Sequence, residues 1–241
     1  MTAFGALVTV TLRGLLGRRR IVLMVVLAAL PVLVGLLIRL GGGRSDAPEI
    51  LDSLMIRTVL PLIALVIGTS TIGSEIEDGT VVFLLAKPIA RWRVALAKLA
   101  VAAGLTAALT VPAILVTGLL VGGFGGSSVA TAFGFALAAI VGGSAYAVAF
   151  AALGVVTTRA LVVGLGYTLL WEGVLAGLLD GTRFLSIRQA TLGVAAALTG
   201  EDVGVDVLEP VVAAAILAVV IVGGFLLTAR ALARFQVRSA D

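Results

Sequence analysis

The stretch IVLMVVLAALPVLVGLLI, residues 21–38, runs uncharged between Arg18-Arg19-Arg20 on one side and Arg39 on the other. A bilayer hydrocarbon core about 30 Å thick is crossed by about 20 helical residues. The stretch therefore reads as a membrane span, with Pro31 at its middle as the expected kink. The three arginines resemble the start of a secretory signal, but the apolar run is longer than a typical h-region and lacks an Ala-x-Ala cleavage site, so the segment is read as retained. Working outward, five further apolar stretches follow, giving spans at about 21–40, 54–74, 95–121, 129–157, 160–179 and 210–229. The run from 129 to 179 is too long for one span, and Thr157-Thr158-Arg159 supplies the polar break within it.

Composition agrees. Of 241 residues, 61% are apolar and 12% charged, and the mean hydropathy is +1.22. Soluble domains carry about 25% charged residues, and a soluble surface needs polar cover that this chain cannot supply. A soluble enzyme, a disordered tail and a disulfide-stapled secreted domain are thereby excluded. The chain contains no His and no Cys, which removes Cys or His metal sites, haem ligation by His, thiol nucleophiles and Ser–His pairs. With no paired Asp in the spans either, no intramembrane protease or transferase site can be assembled. No catalytic or metal-binding residue is assigned.

Charge placement sets the expected orientation. With the N-terminus inside, 12 of the 17 basic residues face the cytoplasm, whereas Arg39, Arg44, Arg57, Arg183 and Arg188 lie outside. Eight of the 13 acidic residues fall in the outer loops 41–53 and 180–209. This bias places both termini in the cytoplasm. The basic residues, Arg91, Arg93 and Lys98 at the re-entry into lipid among them, then read as juxtamembrane anchors facing anionic lipid, and nucleic acid is not an expected partner despite a pI near 10.3. Before the first span, Phe4, Leu7, Val8, Leu12, Leu15 and Leu16 recur at helical spacing. They predict an amphipathic interfacial helix over 3–17, the alternative being a plain extension of the first span.

One cytoplasmic segment is distinctive: Gly73-Ser74-Glu75-Ile76-Glu77-Asp78-Gly79-Thr80-Val81-Val82-Phe83-Leu84-Leu85-Ala86-Lys87-Pro88-Ile89-Ala90-Arg91. Gly79 is placed to end one helix and Thr80 to cap the next. Pro88 stops that helix after at most two turns, because the residue before a proline is pushed out of helical geometry. The result is a short apolar helix between an acidic and a basic flank. The residues alone leave two readings open, a docked element or a turn that merely joins two spans.

This pattern of Glu75-x-Glu77-x-Gly79-Thr80, then Leu84-Leu85, then Pro88-Ile89-x-Arg91, resembles the cytoplasmic segment of type-2 ABC exporter permeases. The order of elements is also similar: an N-terminal interfacial helix, six spans, both ends inside and a long outer loop before span six. The resemblance implies an all-α integral membrane protein, a single transmembrane domain over 1–241, with a coupling helix between spans two and three. It implies that Glu75, Glu77 and Asp78 lead into the coupling helix, Gly79 and Thr80 shape its turn, and Val82, Phe83, Leu84 and Leu85 dock on an ATPase. Pro88 and Arg91 would end it. Ala86-Lys87 stands where small or hydroxyl residues are common in the family. The implied partners are two copies of an ABC ATPase subunit, a second permease subunit (the same chain or a relative) and membrane lipid. The implied setting is a bacterial cytoplasmic membrane. The sequence has no Gly-x-x-x-x-Gly-Lys-Ser/Thr phosphate loop and no room for a nucleotide-binding domain. ATP and magnesium would thus sit on the partner, and this chain is expected to bind no cofactor and to catalyse no reaction itself.

Glu172, in Tyr167-Thr168-Leu169-Leu170-Trp171-Glu172-Gly173, is the main intramembrane acid. It reads either as part of the transport path or gate, or as a local pair with Arg183 or Arg57 near the outer end of span five. Trp171 reads as an interfacial anchor, and Arg57 as a snorkelling residue at the start of span two. The segment 180–209, with a mildly amphipathic piece at 187–198 and acids whose spacing is not that of an EF-hand loop, reads as a solvated outer cap. A transporter driven by an ion gradient is the alternative function and would rest on Glu172, although that class usually shows several buried ionisable groups and broken helices. A scaffold or a self-protection subunit would look alike in sequence.

Overall fold

The computed structural model describes residues 3–15, 17–42, 46–77, 90–175, 184–200 and 207–234. Every regular element among them is a helix. We label them α1 (Ala3–Leu15), α2 (Arg18–Leu40), α3 (Ala47–Ile50), π1 (Leu51–Val59), α4 (Leu60–Glu77), α5 (Arg91–Gly122), α6 (Gly126–Val156), α7 (Ala160–Gly166), π2 (Tyr167–Leu175), α8 (Ile187–Thr199) and α9 (Pro210–Arg234), where π1 and π2 are π-helical stretches. Among the described residues, five helical rods are long and apolar enough to cross a membrane: Arg20–Leu40, Ala47–Gly73, Arg91–Gly122, Gly126–Val156 and Pro210–Arg234. The stretch expected as span five is described as a shorter apolar helix, Ala160–Val174.

The polar break at 157–159 separates α6 from α7 as its residues require. Span two, in contrast, begins at Ala47 rather than near 54, because α3, π1 and α4 run on without interruption. Arg57 consequently lies inside a helical rod instead of at its start, where its side chain is exposed.

The centre of the bundle is α6, packed by α4, α5, α8, α9 and α7. Its buried positions are mostly Ala and Gly, so neighbouring backbones approach closely, the means by which helices associate in lipid without a hydrophobic driving force between them. A Cβ at Gly68 of α4 would stand 2.7 Å from the Ala147 carbonyl oxygen. One at Gly118 of α5 would stand 2.9 Å from Ala132 Cβ. Gly122, one turn further along α5, likewise stands against Ser128 of α6.

Only a narrow line of α2 is covered: Met24, Ala28, Pro31 and Gly35, at helical spacing. The rest of its surface presents Val22, Leu23, Val26, Leu30, Leu33 and Leu37 outward. An apolar surface that continuous suits lipid and not water. α1 packs beside the first turns of α5, with Val8 against Val94 and Ala97, so it sits at the end of the bundle where α4 stops and α5 starts. The opposite end is tied by Arg39 of α2, which donates to the Leu120 carbonyl and lies 5.4 Å from the Phe124 ring centroid.

Candidate functional site

Two regions carry charge into the bundle. The first is the end where α4 leaves and α5 returns. Glu75 and Glu77 fall in the last turn of α4, and Arg91 is the first residue of α5. The remaining residues expected in the coupling helix, Asp78, Gly79, Thr80, Val82, Phe83, Leu84, Leu85 and Pro88, lie outside the described residues. Two bonds fasten this end. Arg91 Nη1 donates to the Leu232 and Ala233 carbonyls at 2.9 and 2.7 Å, which are last-turn acceptors of α9. A cation there satisfies orphan carbonyls and opposes the negative end of the helix dipole. Lys98, expected as an exposed anchor at the membrane surface, is 1% exposed and donates from Nζ to the Thr71 carbonyl at 3.0 Å. It thus ties α5 to α4 two turns from the start of α5. Its spacing after Arg91 and Arg93 suggested re-entry into lipid; only the fold shows that its face meets α4.

The second region is built around α8. The segment 180–209 is not a solvated cap where it is described: Ile187, Arg188, Gln189, Ala190, Thr191, Leu192, Gly193 and Ala195 are all buried. A Cβ at Gly134 would meet Thr199, and one at Gly142 would meet Thr191. Eight residues along α6 thus match eight back along α8, and the two helices are antiparallel. Thr191 lies sixteen residues from the start of α6, about 24 Å along its axis. The N-terminus of α8 lies deeper still. The helix thus begins inside the bundle and runs toward the Gly123 end.

That buried N-terminus is where Glu172 sits, 1% exposed. Its carboxylate accepts from Tyr167 Oη at 2.7 Å, Ser186 Oγ at 2.7 Å, the Ile187 amide at 2.9 Å and the Arg188 amide at 3.4 Å. Ser186 is the N-cap of α8, its Oγ accepting from the Gln189 amide at 3.1 Å. A carboxylate on the first-turn amides of a helix is favoured by the dipole and by the orphan donors there. The expected pairing of Glu172 with Arg57 does not occur; Arg183 lies outside the described residues. Trp171 donates from Nε1 to the Leu185 carbonyl at 3.3 Å, at the same joint.

The partner of Glu172 in this arrangement came unannounced. Asp52 and Arg188, both expected in outer loops, are 7% and 3% exposed. They form a two-pronged ion pair, Nε to Oδ1 at 3.1 Å and Nη2 to Oδ2. Asp52 lies on π1 and Glu172 on π2, so two acids from two π-helical stretches converge on the three residues 186–188. The π winding matters for Glu172. Five residues of α-helix turn the chain so that i and i+5 point about 140° apart, whereas π2 brings Tyr167 and Glu172 onto one face. Beside this cluster Tyr146 Oη is buried near the Glu172 carboxylate without a hydrogen bond of normal geometry, and Gln189 Oε1 is likewise unbonded. Among the described residues no three carboxylates gather as a metal site. The arrangement is chemically a satisfied anion and a satisfied ion pair, suited to holding helices and not to bond making.

The sequence profile of the ABC-2 family transporter protein matches residues 16–173, a stretch that runs from the foot of α2 through residues 75–91 to Glu172. The chain belongs to the ABC-2 transporter family. No curated protein sequence matches it. Membership in the ABC-2 family makes this a multi-pass membrane component of a transport system, in agreement with the five long apolar rods.

Proposed function

We propose that this ABC-2 protein is the permease subunit of an ATP-driven exporter, coupled to a separate ATPase through residues 75–91. The observation that carries the reading is the family match over 16–173, which spans that acidic, apolar and basic segment. The absence of a phosphate-binding loop from this sequence supports an ATPase on another chain, bound in two copies with ATP and magnesium. That α5, the helix following the segment, is fastened to α4 through Lys98 and to α9 through Arg91 supports a route by which movement of the segment reaches the bundle. In this reading Glu75, Glu77 and Asp78 form the acidic approach, Gly79 and Thr80 the turn, Val82, Phe83, Leu84 and Leu85 the docked face, and Pro88 the stop. A second permease subunit completes the transmembrane path in a bacterial cytoplasmic membrane, with both termini inside. Glu172 belongs to the transport machinery deep within the bundle, at the buried N-terminus of α8. Its saturation by four donors favours a holding role over proton or ion carriage in a gradient-driven transporter.

The test is co-purification. The tagged chain is co-expressed with the ATPase encoded beside it, as wild type and as Glu77→Arg and Phe83→Asp. Stoichiometric ATPase with the wild type, lost in both variants, is the expected result. A wild-type chain that purifies without any ATPase overturns the proposal.

A further inference from the structure

The end of the bundle where α5 begins and α9 finishes carries cations that the fold leaves unused. Arg91 and Lys98 are occupied by carbonyls of α9 and α4. Arg93 and Arg230 are exposed, and among the described residues neither side chain has a hydrogen bond or an ion pair. The Arg93 guanidinium lies 5.3 Å from the ring centroid of Trp92. No acidic residue lies in the first turn of α5. Glu75 and Glu77, which end α4, belong to a helix packed on the other side of α5, at Ala95 and Lys98.

The two helices form a groove there. On α5, Ala95 clusters with Ile72 and Leu232, Leu99 with Val148 and Phe225, and Val94 and Ala97 with Val8 of α1. At about 100° per residue, Trp92, Arg93 and Leu96 are left on the outward arc between α9 and α1, and all three are exposed. On α9, Phe225, Ala229 and Leu232 turn toward α4 and α5, while Gly224 faces Val148 of α6. The same rotation carries Val222, Leu226 and Arg230 to the α5 side of its outward face, where all three are exposed as well. Trp92 and Leu96 thus stand across from Val222, Leu226 and Arg230, with an apolar floor between two cationic banks.

We propose that this groove holds one anionic phospholipid, its headgroup phosphate taken by Arg93 and Arg230 and an acyl chain lying along Leu96, Val222 and Leu226. The occupant follows from the chemistry of the two banks and the floor, in a chain whose family places it in a bilayer. Guanidinium takes a phosphate through two parallel N–H bonds, and Trp beside Arg is suited to the headgroup level. A soluble anion leaves the apolar floor bare. A zwitterionic lipid brings an ammonium that the two cations oppose, whereas an anionic one is drawn to them. The lipid touches α5 and α9 together, so it braces from outside the joint that Arg91 makes from within. The site requires membrane residence alone and is independent of coupling to an ATPase.

The test is selective lipid retention. The purified chain is placed in nanodiscs of phosphatidylglycerol and phosphatidylcholine, equal in amount and identical in acyl chains, then released into mild detergent, and the lipid kept per chain is counted by native mass spectrometry. One phosphatidylglycerol per chain is expected, preferred over phosphatidylcholine by about thirtyfold, since each arginine contributes about fivefold. Arg93→Gln and Arg230→Gln should each lower the preference about fivefold. Leu226→Trp leaves the charge alone and fills the groove, and should remove the retained lipid. Arg159→Gln, exposed beyond the end of α6 at the same membrane face, is the control and should change nothing. All four altered side chains are exposed, so the variants should elute as monodispersely as the wild type. Excess soluble glycerol phosphate should not displace the lipid.

Equal retention of the two lipids overturns the site, as does a loss in Arg159→Gln as large as that in Arg230→Gln. Displacement by glycerol phosphate overturns the lipid as occupant in favour of a free phosphate. A wild-type chain that retains neither lipid because a second copy covers the groove overturns it as well.

Discussion

Replacing Gly142 by alanine is the sharpest probe of whether α8 lies on α6. The added Cβ would stand 2.1 Å from Thr191 Oγ1, 2.6 Å from its Cγ2 and 2.9 Å from its Cβ. All three contacts are closer than any the packing tolerates, and both atoms belong to helices held on several sides. Overpacking of this kind costs about 1–3 kcal/mol. With three contacts under 3 Å the upper half of that range, about 2–3 kcal/mol, applies; alanine in mid-helix returns about 0.5–1 kcal/mol relative to glycine, which leaves a net loss of about 1–2.5 kcal/mol. For a chain of this size that corresponds to a fall in Tm of about 2–10 °C. Thermal unfolding of the detergent-solubilised protein, followed by loss of the monodisperse peak, gives the measurement. Thr191→Ala removes two of the three offending atoms, so the double variant should recover most of the loss, a coupling of about 1 kcal/mol or more in the mutant cycle. Gly104→Ala serves as the control: nothing lies within 4 Å of its Cβ position, and it should raise Tm slightly. A Gly142→Ala protein as stable as the wild type, or strict additivity with Thr191→Ala, would refute the placement of α8.

Other substitutions divide the polar cluster. Tyr146→Phe should leave stability unchanged or raise it, because the buried hydroxyl has no bond to lose, whereas Tyr167→Phe removes a donor to Glu172 and should cost about 1.5–3 kcal/mol; the two Tm values decide. Arg91→Ala uncaps the last turn of α9 and should cost about 0.3–1 kcal/mol, with faster amide exchange confined to residues 228–234. Lys98→Met removes the Nζ bond to Thr71; a Tm drop corresponding to about 1–3 kcal/mol is expected, and an unchanged Tm would show that α4 and α5 are held there by packing alone.

Much of the fold was legible because lipid imposes a length and a composition on anything that crosses it. The apolar runs at 21–40, 95–121, 129–157 and 210–229 fall on helices, and Thr157-Thr158-Arg159 falls on the break. What escaped is what depends on contacts distant in sequence. Asp52 and Arg188 read as loop charges because each is polar and lies beside other polar residues; nothing local announces a partner 136 positions away. α8 carries Arg188, Gln189 and three threonine or glycine positions in its thirteen residues, so its hydropathy is that of a surface piece, and only the shelter of α6 and α9 makes it interior. Lys98 was misread for the same reason in reverse, since a basic residue near a helix start is usually solvated. π1 and π2 have no periodic signature that separates them from α-helix in so apolar a chain. Glu172 was found, since an acid in an apolar run stands out, but its function as a helix cap required the returning chain to be seen.

The depth at which α8 begins also constrains how the protein is made. Thirteen residues bearing an arginine are too short and too polar to be handed to the bilayer as a span during synthesis. They find shelter only against α6, and their packing through Gly193 waits for Ala213 on α9, which follows them in the chain. Until then Asp52 and Glu172 stand in the bundle without the residues that neutralise and bond them. A newly inserted chain is therefore marked as unfinished by two bare acids at membrane depth, and completion of biogenesis is the moment Arg188 and the α8 amides arrive to cover them.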